Sequence, residues 1–426
     1  MRYLFVCLLV ALLHTVSWSQ LTLTGEIRPR AEYRQGFKRL HPAGADAAFF
    51  IEQRSRLYMN YQAPKLKLQL NLQDVRIWGN ASQIYKSDPA LTNVHEAWAE
   101  LAIAGRWSAK FGRQEIDYDG ARFLGDLSWA QQSRTHDALL VKYEHPDKGW
   151  KLHLAGAYNQ NVPFEPTKLT GNFYEGVNNY KTMQYAWMNK QFPEGSLSVL
   201  LHNDGRQAAD TTVAFRQTLG TRWVKKFGPF SLDGELYFQT GKDAARKEVS
   251  ALLAAANLSA KLGKATLTLG TDYLSGTGVG ETKNTAFDPL YGTNHKFYGY
   301  MDYFYVGNPH QQDGRTVGLV DFFLKNNFPL GKAGKLDLHL HGFAAPVEVL
   351  DGTGKELKPY LGTEFDAVFT RQFFDGIASL NLGYSQMFGT ATLEAIKGGD
   401  RNSFNTWIWT MVTVKPVLFS SSKVKE

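Results

Sequence analysis

The 426-residue chain carries 47 basic and 40 acidic side chains for a formal charge of +7, a mildly basic balance far from a nucleic-acid footprint. Hydrophobic residues make up 43% of it, yet no run of roughly 18 apolar residues follows the N-terminal segment, so any membrane span must be built of strands. Its one cysteine, Cys7, lies in that segment, which excludes disulfides, thiolate metal sites and cysteine catalysis from the remainder.

Arg2 makes the n-region of residues 1–3 basic and residues 4–13 are apolar, and Ser17-Trp18-Ser19 places small residues at the usual cleavage spacing. This predicts a signal peptide over 1–19 and a single mature domain over 20–426. The apolar stretch is shorter than the roughly 20 residues of a spanning helix, and His14 interrupts its end. Cys7 is followed by Leu8-Leu9 rather than by small residues, which argues against a lipoprotein anchor.

From residue 21 the chain alternates. Leu21, Leu23, Ile27 and Tyr33 share one parity, and Thr22, Glu26, Arg28, Arg30, Glu32 and Arg34 the other. In a soluble sandwich the apolar face would need a second sheet; behind a secretion signal, and repeated to the C-terminus, it predicts lipid on one side and a polar lumen on the other. Eight tight links, at 63–64, 104–105, 146–149, 193–194, 227–228, 263, 329–334 and 375–376, predict eight hairpins. With an unpaired first and last strand the total is eighteen, an even number as closure of an antiparallel barrel requires.

The predicted strands are 21–34, 49–62, 65–78, 94–103, 106–115, 136–145, 150–159, 181–192, 195–204, 213–226, 229–240, 247–261, 264–275, 313–328, 335–345, 359–373, 377–389 and 404–418. Short periplasmic turns and longer extracellular loops follow from their spacing. In the third strand Leu66, Leu68, Leu70 and Leu72 read outward; beyond Gln73 the parity shifts, which suggests a bulge that keeps Asp74 and Arg76 inward. Residues 297–305 are assigned to the connection 276–312, as a lid or constriction in the mouth; the alternative is a nineteenth strand with one hairpin misread. Aromatic residues, 13% of the chain, suit interface girdles.

Gly112-Arg113-Gln114-Glu115, Asp117-Tyr118-Asp119, Arg122-Phe123-Leu124-Gly125-Asp126, Trp129, Gln131-Gln132, Arg134 and Asp137-Ala138-Leu139 together resemble the alginate export family of outer-membrane proteins. The stretch from Phe287 to Asp302 resembles members of that family from Bacteroidota-like bacteria. The resemblance implies an eighteen-stranded transmembrane β-barrel with a basic pore that passes an anionic polysaccharide. Many relatives are broadly porin-like, and here Glu26, Glu32, Glu52, Glu96 and Glu364 are mixed among the arginines.

Arg28, Arg30, Arg34, Arg54, Arg56 and Arg76, with Lys67, are expected to line the pore on three neighbouring strands. Two readings stay open: a series of guanidinium forks for a passing carboxylate, or a network with Glu26, Glu32, Glu52 and Asp74 that stiffens the wall. A loop from Ile116 to Arg134 interleaves Tyr118, Phe123 and Trp129 with Arg122, Asp126 and Arg134; with Arg113 these are candidate pore residues, in a constriction or in an extracellular loop packed on itself. His339 and His341, two apart on one strand face, are a weak metal hint. No metalloprotease, P-loop or nucleophile-elbow motif occurs, and no catalytic residue or cofactor is expected.

The function this favours is a passive outer-membrane channel for anionic solutes, extending to an alginate-like polysaccharide, with lipid and an anionic sugar or oligosaccharide as partners. A barrel hydrolase and a structural barrel with a sealed lumen are the alternatives. A TonB-dependent receptor is set aside because no plug-sized domain precedes the first strand.

Overall fold

The computed structural model describes residues 19–81, 91–160, 179–208, 212–307 and 310–421. The signal segment lies outside them apart from Ser19. Eighteen wall strands follow in order: β1 (Gln20–Gln35), β2 (Ala48–Ala63), β3 (Leu66–Ile77), β4 (Thr92–Ala104), β5 (Trp107–Gln114), β6 (His136–His145), β7 (Trp150–Tyr158), β8 (Thr182–Phe192), β9 (Gly195–Gln207), β10 (Val213–Phe227), β11 (Phe230–Lys242), β12 (Glu248–Leu262), β13 (Ala265–Leu274), β14 (Leu319–Leu330), β15 (Gly334–Ala344), β16 (Tyr360–Phe373), β17 (Ala378–Gly389) and β18 (Asn405–Val414). Each is antiparallel to its sequence neighbours, and β18 also pairs with β1, with Tyr33 opposite Ile408. The sheet is therefore a closed barrel of eighteen strands, and closure removes the sheet edges that lipid cannot satisfy.

All eight tight links are hairpin turns, and the longer connections meet at the opposite rim, the extracellular one in barrels of this kind. Exposed aromatic residues mark both rims. Trp107, Trp150, Phe192, Phe227, Phe230 and Phe373 sit at the turn end, and Phe49, Trp78, Tyr158, Tyr360, Phe388 and Phe404 at the loop end. Between them the outer face is aliphatic: Leu201 and Leu269 are 55% and 62% exposed, whereas inward Asp204 and Asp272 are each 1% exposed.

The strand predicted over 313–328 begins only at Leu319. Gly314 and Gly318 both have positive φ, and a side chain at Gly318 would meet the Leu274 carbonyl and Pro346, so the chain before Leu319 turns away from the wall. Residues 297–305 form no wall strand. The last strand pauses at Lys415-Pro416 and resumes over Val417–Ser420 against β1; proline has no N–H for the ladder.

The predicted bulge lies one strand over. Pairing of β2 with β3 is in register throughout, with Arg56 opposite Gln73, Ser55 opposite Asp74 and Gln53 opposite Arg76. The register shift is between β3 and β4, where His95 is the extra residue. Because Arg56 and Gln73 face the lumen, alternation turns Asp74 and Arg76 to the outer face, where they pair with each other at 2.7 Å. Arg113 shares parity with lipid-facing Phe111 and pairs with Asp137 at 3.0 Å, both of them well exposed. Both arginines end their strands at the loop rim, where a charge on the lipid face costs about 0–1 kcal/mol rather than the 2–4 of the midplane. Neither lines the pore.

The inner face is less uniformly polar than alternation alone predicts. Val249, Ala251, Leu253 and Ala255 of β12 and Met183 and Leu200 of β8 and β9 are buried on it. They pack against two connections that fold into the barrel, residues 115–135 and the described residues of 275–318, whose Phe123, Leu124, Phe287, Tyr298, Met301 and Phe304 share the same core.

Candidate pore constriction

Loop A, residues 115–135, crosses from β5 to β6 through the barrel interior. A single 3-10 turn (Asp119–Ala121) and left-handed residues at Leu127 and Ser133 fold it tightly. Tyr118 reaches the wall of β7 and β8, hydrogen-bonding the His153 ring at 2.8 Å and stacking on Trp187 at 4.5 Å. Asp119 accepts from Trp187 Nε1 at 2.8 Å and Ser198 Oγ at 2.6 Å.

Arg122 is 2% exposed and lies on the face of Phe297, 3.8 Å from the ring centre. Its guanidinium takes Asp272 of β13 with both terminal nitrogens, at 2.7 and 3.0 Å, and Nε lies 3.4 Å from Glu235 of β11. It is a clamp between loop and wall, not a free ligand for a solute.

Loop B, residues 275–318, packs on loop A. Leu124 and Tyr291 form a parallel bridge, the Gly125 amide donates to the Tyr291 carbonyl at 2.9 Å, and the Arg134 guanidinium donates to the carbonyls of Tyr291 and Gly292. Further along, the Met301 amide donates to Glu364 at 2.8 Å; Gly299, φ +80°, lets the backbone pass where a side chain would strike that carboxylate.

On the other side of the lumen the arginines of β1 and β2 hold loop A by its backbone. Arg28 donates to the carbonyl of Ser128 at 2.9 Å, to those of Trp129 and Ala130 at 3.4 and 3.3 Å, and to Gln131 Oε1 at 3.0 Å. Arg30 reaches the Trp129 carbonyl at 2.9 Å and lies over its ring at 4.3 Å. Arg54 and Arg56 share Ser133 Oγ at 3.1 and 2.9 Å. Guanidinium forks suit this task because each presents several donors in one plane.

The carboxylate network is present too. Arg54 pairs with Glu26 at 2.6 Å, and Arg30 pairs with Glu32 at 2.7 Å and Glu52 at 3.0 Å. Arg34 pairs with Glu32 at 2.8 Å, and its head lies over Phe37 and Phe50. Asp74 has no part in it. Arg28 and Arg56 meet no carboxylate within 4 Å among the described residues, so five guanidinium groups face three carboxylates. Lys67 shares the inner face but stands exposed near the turn end, opposite Glu100, apart from the cluster.

Asp126 receives the Ser128 amide at 3.1 Å, and Trp129 stacks on His295 of loop B at 4.4 Å and meets Trp409 at 4.8 Å. Asp117 carries a carboxyl pushed up to about 6, by burial first and then by the charge of Asp126. Polar cavities flank the two loops. One of about 270 Å³ opens on the turn side beside Arg222, Asp233, Lys296 and Lys325. Another of about 500 Å³ lies at the loop rim between Arg216, Asp288, Asn294, Tyr305 and His310, where Asn294 Oδ1, the Tyr305 hydroxyl and both His310 ring nitrogens lack protein partners.

The structure thus brings Arg28, Arg30, Arg54, Arg56, Trp129 and Arg134 together, places Tyr118 and Arg122 on other sides of the same plug, and leaves Arg76 and Arg113 outside. Asp272, Glu235 and Ser133 were not singled out from the sequence, and Gln131 and Tyr291 entered only within the stretches that carry the family resemblance. Inward parity was the available signal for Asp272 and Glu235; the loop carbonyls that the arginines hold carry no residue signature at all.

Residues 19–313 match the model of the family described as alginate export. No curated protein matches the chain in sequence. Among solved structures the barrel is similar to Acinetobacter baumannii OccAB4, with a TM-score of 0.62, 9% identity and coverage of 94% of this chain and 98% of that one. It is also similar to Pseudomonas aeruginosa OccK8 (OprE), at 0.60, 10%, 94% and 98%, and to the outer membrane protein opdK of the same organism, at 0.57, 13%, 93% and 98%. Those identities carry the fold alone, an eighteen-stranded outer-membrane porin barrel. The match over residues 19–313 carries the family, and this chain belongs to the alginate export family of outer-membrane β-barrels.

Proposed function

We propose that the protein is a passive outer-membrane channel for small anionic solutes, carboxylates above all, with loops A and B as its constriction. The observation that carries this reading is the charge balance at the tip of loop A. Arg28 and Arg56 are buried there without a carboxylate partner, so the segment 128–133 and the wall behind it hold excess positive charge in a narrow, poorly screened space. A carboxylate gains there and a cation is repelled. The 500 Å³ rim cavity, with its unpartnered polar atoms, suits a hydrated, hydroxyl-bearing solute waiting at the entrance. One similar barrel, OpdK, was solved with vanillate, itself a small anion.

The family's description extends the reading to an anionic polysaccharide. A polymer needs the loops displaced from the lumen, and the contacts of Arg28, Arg30, Arg122 and Arg134 are what would have to open. Planar-bilayer recording of the purified protein under a salt gradient tests the channel reading. The expected result is a reversal potential on the anion side, with current reduced by added carboxylates. Cation preference sinks the anionic mechanism; absence of conductance in a folded barrel favours the sealed-lumen reading, and turnover of phospholipid or polyuronate the hydrolase.

A further inference from the structure

We propose that His339, His341 and Asp366 form a lumen-facing site for a divalent transition-metal ion of the zinc class. His339 and His341 lie two apart on β15 and face inward together; Asp366 of β16 stands directly opposite His339, and Glu364 opposite His341. Each of the three residues offers one ligand atom, and these atoms lie within 4.8 Å of one another. Tetrahedral zinc with bonds near 2 Å places its ligand atoms roughly 3–3.5 Å apart, a closure that small side-chain rotations supply.

Two independent features point to a ligand. The first is orientation. His341 Nδ1 lies 3.0 and 2.9 Å from the two oxygens of Asp321, which holds the proton on that nitrogen and makes Nε2 the one with a lone pair for metal. A carboxylate behind a ligating histidine is the usual outer shell of such sites. The second is an orphaned atom. His339 Nδ1 is buried without a hydrogen-bond partner, beside an Asp366 that is 1% exposed and accepts from Ser385 Oγ at 2.5 Å and from the Glu364 carboxyl.

The surrounding charge fits a cation. Asp321, Asp366 and Glu364 crowd the site; Glu364 and Asp366 share a proton in a hydrogen bond, and a bound cation would take the place of that proton. Lys325, opposite His339 across β14, is the facing ammonium and works against the ion, with Arg122 beyond it. His339 is only partly buried, so the lumen is the entry path. The Tyr300 ring of loop B lies 5.1 Å from the His339 ring and the Met301 amide binds Glu364, so an ion here sits beneath loop B. The site stands apart from the anion reading and survives its failure.

The test is titration of the detergent-solubilised barrel with Co²⁺, followed by its visible ligand-field band, and with Zn²⁺ in competition and by calorimetry. One saturable Co²⁺ site displaced by Zn²⁺ is expected. His339→Gln with His341→Gln is expected to abolish it, and Asp321→Asn to weaken it about 10–100-fold. Lys325→Gln is expected to tighten it, an effect that general damage to the barrel does not produce. Folding of each variant is checked by heat-modifiable gel mobility. The proposal is overturned by a folded wild-type barrel with no saturable Co²⁺ band, by a band that the double-histidine variant retains, or, should that variant not fold, by an unchanged affinity in Lys325→Gln.

Discussion

Arg122 and Asp272, 150 residues apart in the chain, meet in a buried two-point ion pair that fastens the first inward loop to the barrel wall. Removing one member of such a pair leaves the other charged and unsatisfied, which costs about 3–5 kcal/mol. Here the cost falls on loop docking, because the eighteen-strand ladder does not depend on it. Arg122→Met is therefore expected to keep the folded barrel while raising single-channel conductance and open-state noise. Asp272→Asn, which leaves one oxygen to accept, should do the same more weakly. Equal conductance in wild type and Arg122→Met would show that loop A does not limit the pore.

The arginines separate into two groups by face. Arg28→Gln and Arg56→Gln remove the two guanidinium groups of the β1–β2 cluster that lack carboxylate partners among the described residues, so reversal potentials should move toward zero and the double variant should be the least anion-selective. Arg76→Gln and Arg113→Gln remove outward guanidinium groups, which pair with Asp74 and Asp137, and should leave selectivity as it is. A shift as large in the second group as in the first would overturn the division of the arginines by face.

That division also shows what was legible in the chain. The hairpins were, because glycine, proline and aspartate mark tight turns and two-residue periodicity marks each flanking strand. The face of Arg76 was not: the shift in apolar parity after Gln73 looked like a bulge in β3, whereas the extra residue is His95 in the partner strand, visible only in the pairing. The Leu252-Leu253 pair of β12 has one leucine toward lipid and one toward loop B, so alternation is blurred wherever a loop fills the lumen. Most of all, the arginines of β1 and β2 hold backbone carbonyls, which any sequence supplies; their charge was legible and their partners were not.

Asp117 gives loop A a pH dependence with a definite sign. Its carboxyl is pushed up to about 6 in the folded loop, against an ordinary value of about 4. The folded loop therefore binds the proton more tightly than the released loop does. The stability it contributes is complete below about pH 4 and is lost as pH rises through about 6. Conductance noise from loop A should rise across that window, and Asp117→Asn, permanently neutral, should flatten the profile at the low-pH level. An unchanged profile in Asp117→Asn would assign the dependence to another group.

Trp129 is where the two loops and the basic wall converge. Its carbonyl is held by Arg30, its ring stacks on His295 at 4.4 Å with the planes 10° apart, meets Trp409 edge-on at 4.8 Å, and carries the Arg30 guanidinium on its face. Two aromatic pairs and one cation–π contact sum to about 2–3 kcal/mol, a large share of what a loop of this size needs to stay docked. Trp129→Ala should free the tip of loop A, giving larger conductance, faster flicker and proteolytic cleavage between 126 and 134 in the folded barrel. Trp129→Phe keeps a ring for His295 and should fall between the two. Protection from cleavage in Trp129→Ala equal to wild type would assign docking to the Arg28 and Arg134 hydrogen bonds to loop backbone, which the substitution leaves in place.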